Sequence, residues 1–199
     1  MRWRSKMIAN IVARNKHIKS VLELGCSVGG VLREIQLVRP DIKLSGIDVS
    51  SNAIGIGLKK NKDIDMRVHD INKIGGLFAP NSFDLVITSG VMIYLNPRKS
   101  AGVIKNIASI AKHNVISIEL NSRKRREHIH QEHKGCKMFS CDYVNRYLKA
   151  GGKSSYILDL RTMMRSNKNI GEARHLIWAN FSNKDLIVEF PTDFETYEK

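Results

Sequence analysis

The segment Val21-Leu-Glu-Leu-Gly-Cys-Ser-Val-Gly-Gly30 constrains this chain more than any other. The apolar run Ser20–Leu24 reads as a buried strand that stops abruptly at Gly25, after which Gly29–Val38 takes up helical periodicity. A strand that passes into a helix through glycines is the opening of a parallel α/β unit, because the helix carries the chain back along the face of the sheet. Gly25 permits the tight turn. A helix opening near Gly29 presents backbone N–H groups that have no helical acceptor, and these suit the anionic end of a ligand.

The same alternation runs on for another hundred residues. Pro40 stops the first of these helices, Ile42–Asp48 reads as a second strand, Ser50 caps a helix through about Lys60, and Ile64–His69 and Phe83–Thr88 read as strands three and four. Pro97 suits a first helical turn, Arg98–Ala111 has apolar residues at helical spacing, and Asn114–Leu120 is a fifth strand. An amphipathic helix around Trp3–Arg14 precedes them all. Short strands rich in Val, Ile and Leu are apolar on both faces, which implies a parallel sheet covered on both sides. Toward the end, Cys141–Ala150 reads as helical and Gly151-Gly152 stops it. Ser155–Arg161 and Arg174–Phe181 then suit an antiparallel closing pair, with Asp185–Phe190 competing for one of those places.

The composition gives a soluble chain of 199 residues, 42% hydrophobic and 26% charged, enough for one domain with a real core. No apolar stretch approaches the roughly 18 to 20 residues that span a bilayer, and the first residues lack a secretory apolar core, so a cytosolic location without membrane association is expected. Cys26, Cys136 and Cys141 are odd in number and are read as free thiols. The net charge of +14 should attract polyanions, nucleotides or phosphorylated metabolites. It is unevenly spread: residues 1–20 hold six Lys or Arg and no acid, two more basic regions lie at Arg123–Arg126 and Arg146–Lys168, and residues 185–199 are mainly acidic.

Further features define a nucleoside site. A dinucleotide fingerprint would align its glycines with Gly25, position 27 and Gly30, but position 27 is Ser27, whose Cβ and hydroxyl would obstruct a pyrophosphate. A cofactor without pyrophosphate tolerates it better. Asp48 ends the second strand about 20 residues on, where a carboxylate can accept hydrogen bonds from both ribose hydroxyls. Val68-His-Asp-Ile-Asn72 follows the third strand, and Ser89-Gly-Val-Met-Ile-Tyr-Leu-Asn-Pro97 follows the fourth.

On these motifs residues 20–120 resemble the class I S-adenosylmethionine-dependent methyltransferases, with Ser27 where many members have glycine. The resemblance implies an α/β doubly wound, seven-stranded, mostly parallel sheet with helices on both faces and an antiparallel C-terminal strand. It implies one domain over 1–199, made of an N-terminal helix (1–19), a cofactor-binding core (20–120) and an acceptor-side loop with closing strands (121–199). Gly25, Cys26, Ser27 and Gly29 would lie against the methionine part of S-adenosyl-L-methionine, with Glu23 organising its amino end. Asp48 would hold the ribose, Val49 would flank the adenine, and Asp70 and Ile71 would meet the adenine edge. Ser89, Gly90 and Met92 would line the methyl, and Tyr94 would face the acceptor.

The sequence Gly-Val-Met-Ile-Tyr-Leu-Asn-Pro97 also resembles methyltransferases associated with pseudaminic acid and related saccharide pathways. Methyl transfer from a sulfonium needs alignment more than a nucleophile, so the remaining candidates belong to the acceptor. His128, His130 and His133 are candidate bases, beside Tyr94, in a solvated loop after the fifth strand. Arg123, Arg125 and Arg126 are candidates for gripping an anionic acceptor. A metal site combining those histidines with Cys136 and Cys141 fits no zinc spacing, so none is expected. Three functions follow: a methyltransferase for a small-molecule or saccharide acceptor, an RNA methyltransferase, and an idle cofactor-binding subunit.

Overall fold

The computed structural model describes residues 2–124, 126–129, 135–160 and 175–189. Helix α1 (Arg2–Arg14) buries Trp3, Met7, Ile8, Ile11 and Val12 at helical spacing. Strand β1 (Ser20–Leu24) is buried continuously from Val21 to Leu24, as a strand covered on both faces must be. Helix α2 (Gly30–Val38) starts beyond Gly29, whose left-handed backbone turns the chain. Strand β2 (Lys43–Asp48) leads to α3 (Ser51–Lys60), where the Ser50 hydroxyl accepts from the Ala53 N–H at 3.2 Å. Strand β3 (Asp65–Val68), a 3₁₀ turn (Ile71–Lys73), β4 (Phe83–Ser89) and a second 3₁₀ turn (Met92–Tyr94) follow. Helix α4 (Pro97–Ile110) is capped by Asn96, with Pro97 in its first turn. It leads directly into β5 (Ala111–Glu119).

The main sheet has the order β3-β2-β1-β4-β5-β9-β8, with β9 (His175–Asn180) antiparallel to both β5 and β8 (Ser154–Asp159). All pairs from β3 to β5 are parallel. Winding reverses between β1 and β4, the position where open α/β sheets leave a crevice at their carboxyl edge. One face packs against α1, α2 and α3 through residues such as Ile8, Leu32 and Ile54; the other packs against α4 and α5 (Tyr143–Lys149) through Ile104, Ile107 and Tyr147. On that second face Thr88 donates to Ser117 at 2.8 Å, and Ser117 shares a 2.6 Å hydrogen bond with the Tyr147 hydroxyl. This arrangement is the seven-stranded, doubly wound fold expected.

Three expectations are corrected. The stretch after β5, read as a solvated loop, contains a two-stranded antiparallel hairpin of β6 (Arg126–Ile129) and β7 (Lys137–Ser140). Helix α5 opens at Tyr143 rather than Cys141, because the Asp142 carboxylate accepts the Asn145 N–H at 3.1 Å and fixes the helix start. Residues 185–189 form no strand: the closing place is filled by β9, and this stretch crosses to α1, where Asn15 exchanges two hydrogen bonds with the Ile187 backbone. No helix among the described residues is long and apolar enough to cross a membrane.

Candidate active site

The turn after β1 is tied to β2, since the Gly25 and Cys26 N–H groups both donate to the Ile47 carbonyl, at 2.8 and 3.0 Å. Gly25 has φ +75°, and a Cβ there would stand 2.6 Å from Val91 Cγ2, so only glycine lets the turn after β4 close over it. Ser27 also lies in the left-handed region, at φ +50°. Its N–H donates to Asp48 Oδ2 at 2.9 Å, while Asp48 Oδ1 accepts from the Ser50 N–H at 2.8 Å. Asp48 thus joins the glycine turn to the head of α3 and keeps a lone pair on each oxygen for further donors.

Glu23 lies beneath this turn, 3% exposed, and its Oε2 is buried with no protein partner. Burial, and then the negative charge of Asp48, push its carboxyl well above the ordinary range, against a backbone N–H from Leu32. An orphaned carboxyl oxygen under a glycine cradle that admits no Cβ fits a cofactor carrying an amino group. Asp70 caps the first 3₁₀ turn, accepting from the Asn72 N–H at 2.9 Å, and that bond holds its carboxyl below the usual value. Val49, which follows β2, is 73% exposed, and Ile71 is buried. Ser89 is half-buried, and the Gly90 N–H is bonded to Ile118 at 2.9 Å. Met92 is fully buried in the core cluster that includes the apolar residues of α4.

The carboxyl edge beyond β4 contains a group that the sequence reading passed over. Glu119 ends β5 fully buried, and its two oxygens accept from the Val91 N–H (3.4 Å) and the Ile93 N–H (3.2 Å). Burial pushes it up to about 7, against the backbone N–H groups of Met92, Val91 and Ile93. Its carboxylate therefore fixes the turn that closes over Gly25 and carries Tyr94, which is 43% exposed. From α1, Arg4 lies within electrostatic reach of both Glu119 and Tyr94; burial lowers its guanidinium to about 10. Signals for both were present: an acid ending an apolar strand, and an arginine on the buried stripe of α1.

The hairpin packs its β7 strand on the turn that carries Tyr94. His128, half-buried on β6, has Nε2 3.3 Å from the Ser140 hydroxyl. Arg123 and Arg126 are exposed at the root of the hairpin. Arg125, His130 and His133 lie outside the described residues. His175 pairs with Glu119 in the β5/β9 register and accepts the Asn121 N–H through Nδ1 at 3.1 Å. That bond commits its basic lone pair in the neutral form, so its role is to anchor the segment after β5. Among the described residues no group of three His, Cys, Asp or Glu is placed to hold a metal.

Comparison with known proteins agrees with this geometry. Residues 21–114 match the family model described as a methyltransferase domain. Among solved structures, the chain is similar to an S-adenosylmethionine-dependent methyltransferase from Mesorhizobium loti, with 13% identity and a TM-score of 0.59 over 81% of this chain and 90% of that one. It is similar to the magnesium protoporphyrin IX methyltransferase ChlM from Synechocystis PCC 6803 with bound S-adenosylmethionine, at 18% identity and a TM-score of 0.62, covering 90% of this chain and 80% of that one. Streptomyces venezuelae DesVI shares 12% identity and a TM-score of 0.61 over 88% of this chain and 91% of that one. No curated protein matches the sequence.

Proposed function

We propose that this chain, whose residues 21–114 form a class I S-adenosylmethionine-dependent methyltransferase domain, methylates an anionic small-molecule or saccharide acceptor at the carboxyl edge of its sheet. The observation that carries the reading is the convergence of Glu23, the Gly25 turn and Asp48 at the end of β1 and β2, beside the Glu119-fixed turn that bears Tyr94.

The cofactor supplies a methyl on an activated sulfonium, so transfer is a direct displacement and alignment is the main task, able to supply roughly 7–11 kcal/mol. In this reading Glu23 and the Gly25-Cys26-Ser27-Gly29 turn hold the methionine part. Asp48 accepts the ribose hydroxyls, Val49 flanks the base, and Asp70 with the Ile71 N–H meets its edge. Ser89 and Gly90 border the methyl. On the acceptor side, Arg123, Arg125 and Arg126 draw in the anion, and Tyr94, His128 or His130 accepts a proton where the acceptor is a hydroxyl or ammonium, worth about a hundred- to ten-thousand-fold. In this reading the N-terminal helix (1–19), the cofactor-binding core (20–120) and the acceptor-side segment (121–199) belong to one domain.

A second reading, RNA as the acceptor, is favoured by one observation: no acid occurs between Leu85 and Ile118 or between Tyr143 and Leu158. An acceptor screen with methyl-labelled donor tests the proposal. Label is expected in a small anionic or saccharide acceptor, with transfer reduced by Tyr94→Phe or His128→Ala. Label confined to RNA would favour the second reading, and none in any acceptor would reject transfer.

A further inference from the structure

We infer that the α4/α5 wall is a binding strip for the phosphate backbone of RNA. The two helices lie side by side on the same face of the sheet, and both run from its carboxyl edge toward its amino edge. Neither contains an acid. Arg98, Lys99 and Lys105 are exposed on α4, Lys149 is exposed at the end of α5, and Lys153 follows it. Among the described residues Arg98, Lys99, Lys105 and Lys149 form no ion pair, whereas the opposite end of the sheet pairs its cations with Asp41 and Asp84.

The wall also has shape. Between the helices runs a groove of about 270 Å3 lined by Ala101, Lys105, Arg146, Lys149 and Ala150. Small alanines leave its floor open and cations edge both rims. Arg146 is fixed in the groove by hydrogen bonds to the Ser100 hydroxyl and the Pro97 carbonyl, so one of its charges is preset. A helix of 14 residues is about 21 Å long, enough for several successive phosphates. The upper end of the strip, Asn96-Pro97-Arg98, continues from the turn that bears Tyr94. A strand lying along the groove would therefore present a nucleotide at the carboxyl edge.

The chemistry selects a polyphosphate over a lipid surface. Only Leu148 among the apolar residues of α5 is exposed, so the wall has little to insert between acyl chains. A row of exposed cations flanking a groove is the arrangement that tracks a single strand's backbone through counterion release. This rests on the methyltransferase reading in its second form, with RNA as the polymer that carries the acceptor; binding by the strip does not require the cofactor.

The test is fluorescence anisotropy of the full chain with a labelled 20-nucleotide single-stranded RNA over a potassium chloride series. Wild type is compared with the triple variant Lys99→Gln, Lys105→Gln, Lys149→Gln. A control triple of equal charge change, Lys59→Gln, Lys60→Gln, Lys62→Gln, lies on the other face of the sheet. The strip variant is expected to lose at least about tenfold in affinity at low salt, and its log–log salt slope should flatten by about 2, near 0.7 per lost contact. The control should lose less than a third of that, and S-adenosylmethionine affinity should stay unchanged in both. Equal losses in the two triples, absence of RNA binding, or strip-dependent capture by phosphatidylserine vesicles without RNA binding would each overturn the inference. Loss of cofactor binding by wild type would instead overturn the methyltransferase reading.

Discussion

Glu119 and Asp48, at the ends of β5 and β2 with β4 and β1 between them, illustrate how two carboxylates on one sheet edge acquire different work from their surroundings. Asp48 is half-buried, holds two backbone N–H groups and retains capacity for the ribose proposed above; removing it leaves those two donors without their acceptor. Asp48→Ala is expected to weaken S-adenosylmethionine binding by about 1–3 kcal/mol, read by calorimetry; unchanged affinity would take Asp48 out of the site. Glu119 is fully buried, with its carboxyl raised from 4.5 to about 7. The folded chain then holds a proton more tightly than the unfolded chain, so stability falls as pH rises from about 4.5 to 7 and levels off above. The effect is about 3 kcal/mol. Glu119→Gln leaves one turn N–H without its acceptor at every pH but removes this slope. Denaturant melts at pH 4.5 and 8 should show wild type losing about 3 kcal/mol more than the variant; parallel losses would contradict the buried, raised carboxyl.

At the scale of elements, the hairpin of β6 and β7 is the proposed contact of the acceptor. It roots Arg123 and Arg126 at the carboxyl edge and packs on the Tyr94 turn. Neutralising Arg123, Lys124, Arg125 and Arg126 together is expected to raise the acceptor's KM severalfold with kcat and cofactor affinity little changed; identical steady-state kinetics would discard the anion grip. This element was also the least legible. Arg-Glu-His-Ile and Lys-Met-Phe-Ser are four residues each, too short and too charged for alternation to register, and their pairing depends on burial of Met138. The β1–β5 core was legible to within a few residues because β1, β4 and β5 are buried on both faces and helices are capped or stopped by named residues such as Ser50, Asn96 or Pro97.

For the whole molecule, one sheet divides the work. Its carboxyl edge gathers Glu23, Asp48, Asp70 and Glu119 within a chain of net charge +14, which focuses anionic ligands toward a surface that still keeps carboxylates where hydroxyl and amino donors are needed. The glycine turn and the strand-end acids were legible because they sit at fixed distances along the chain. The partners of Glu119 and Arg4 were not, because Val91, Ile93 and Tyr94 reach them only through folding. The central claim is that this edge binds a nucleoside bearing an amino acid and not a dinucleotide. Isothermal titration of the purified chain with S-adenosylmethionine, S-adenosylhomocysteine and NAD is its most direct test. Saturable heat is expected with the methyl donor and its demethylated product and none with NAD; binding of NAD, with no heat from either of the other two, would contradict it.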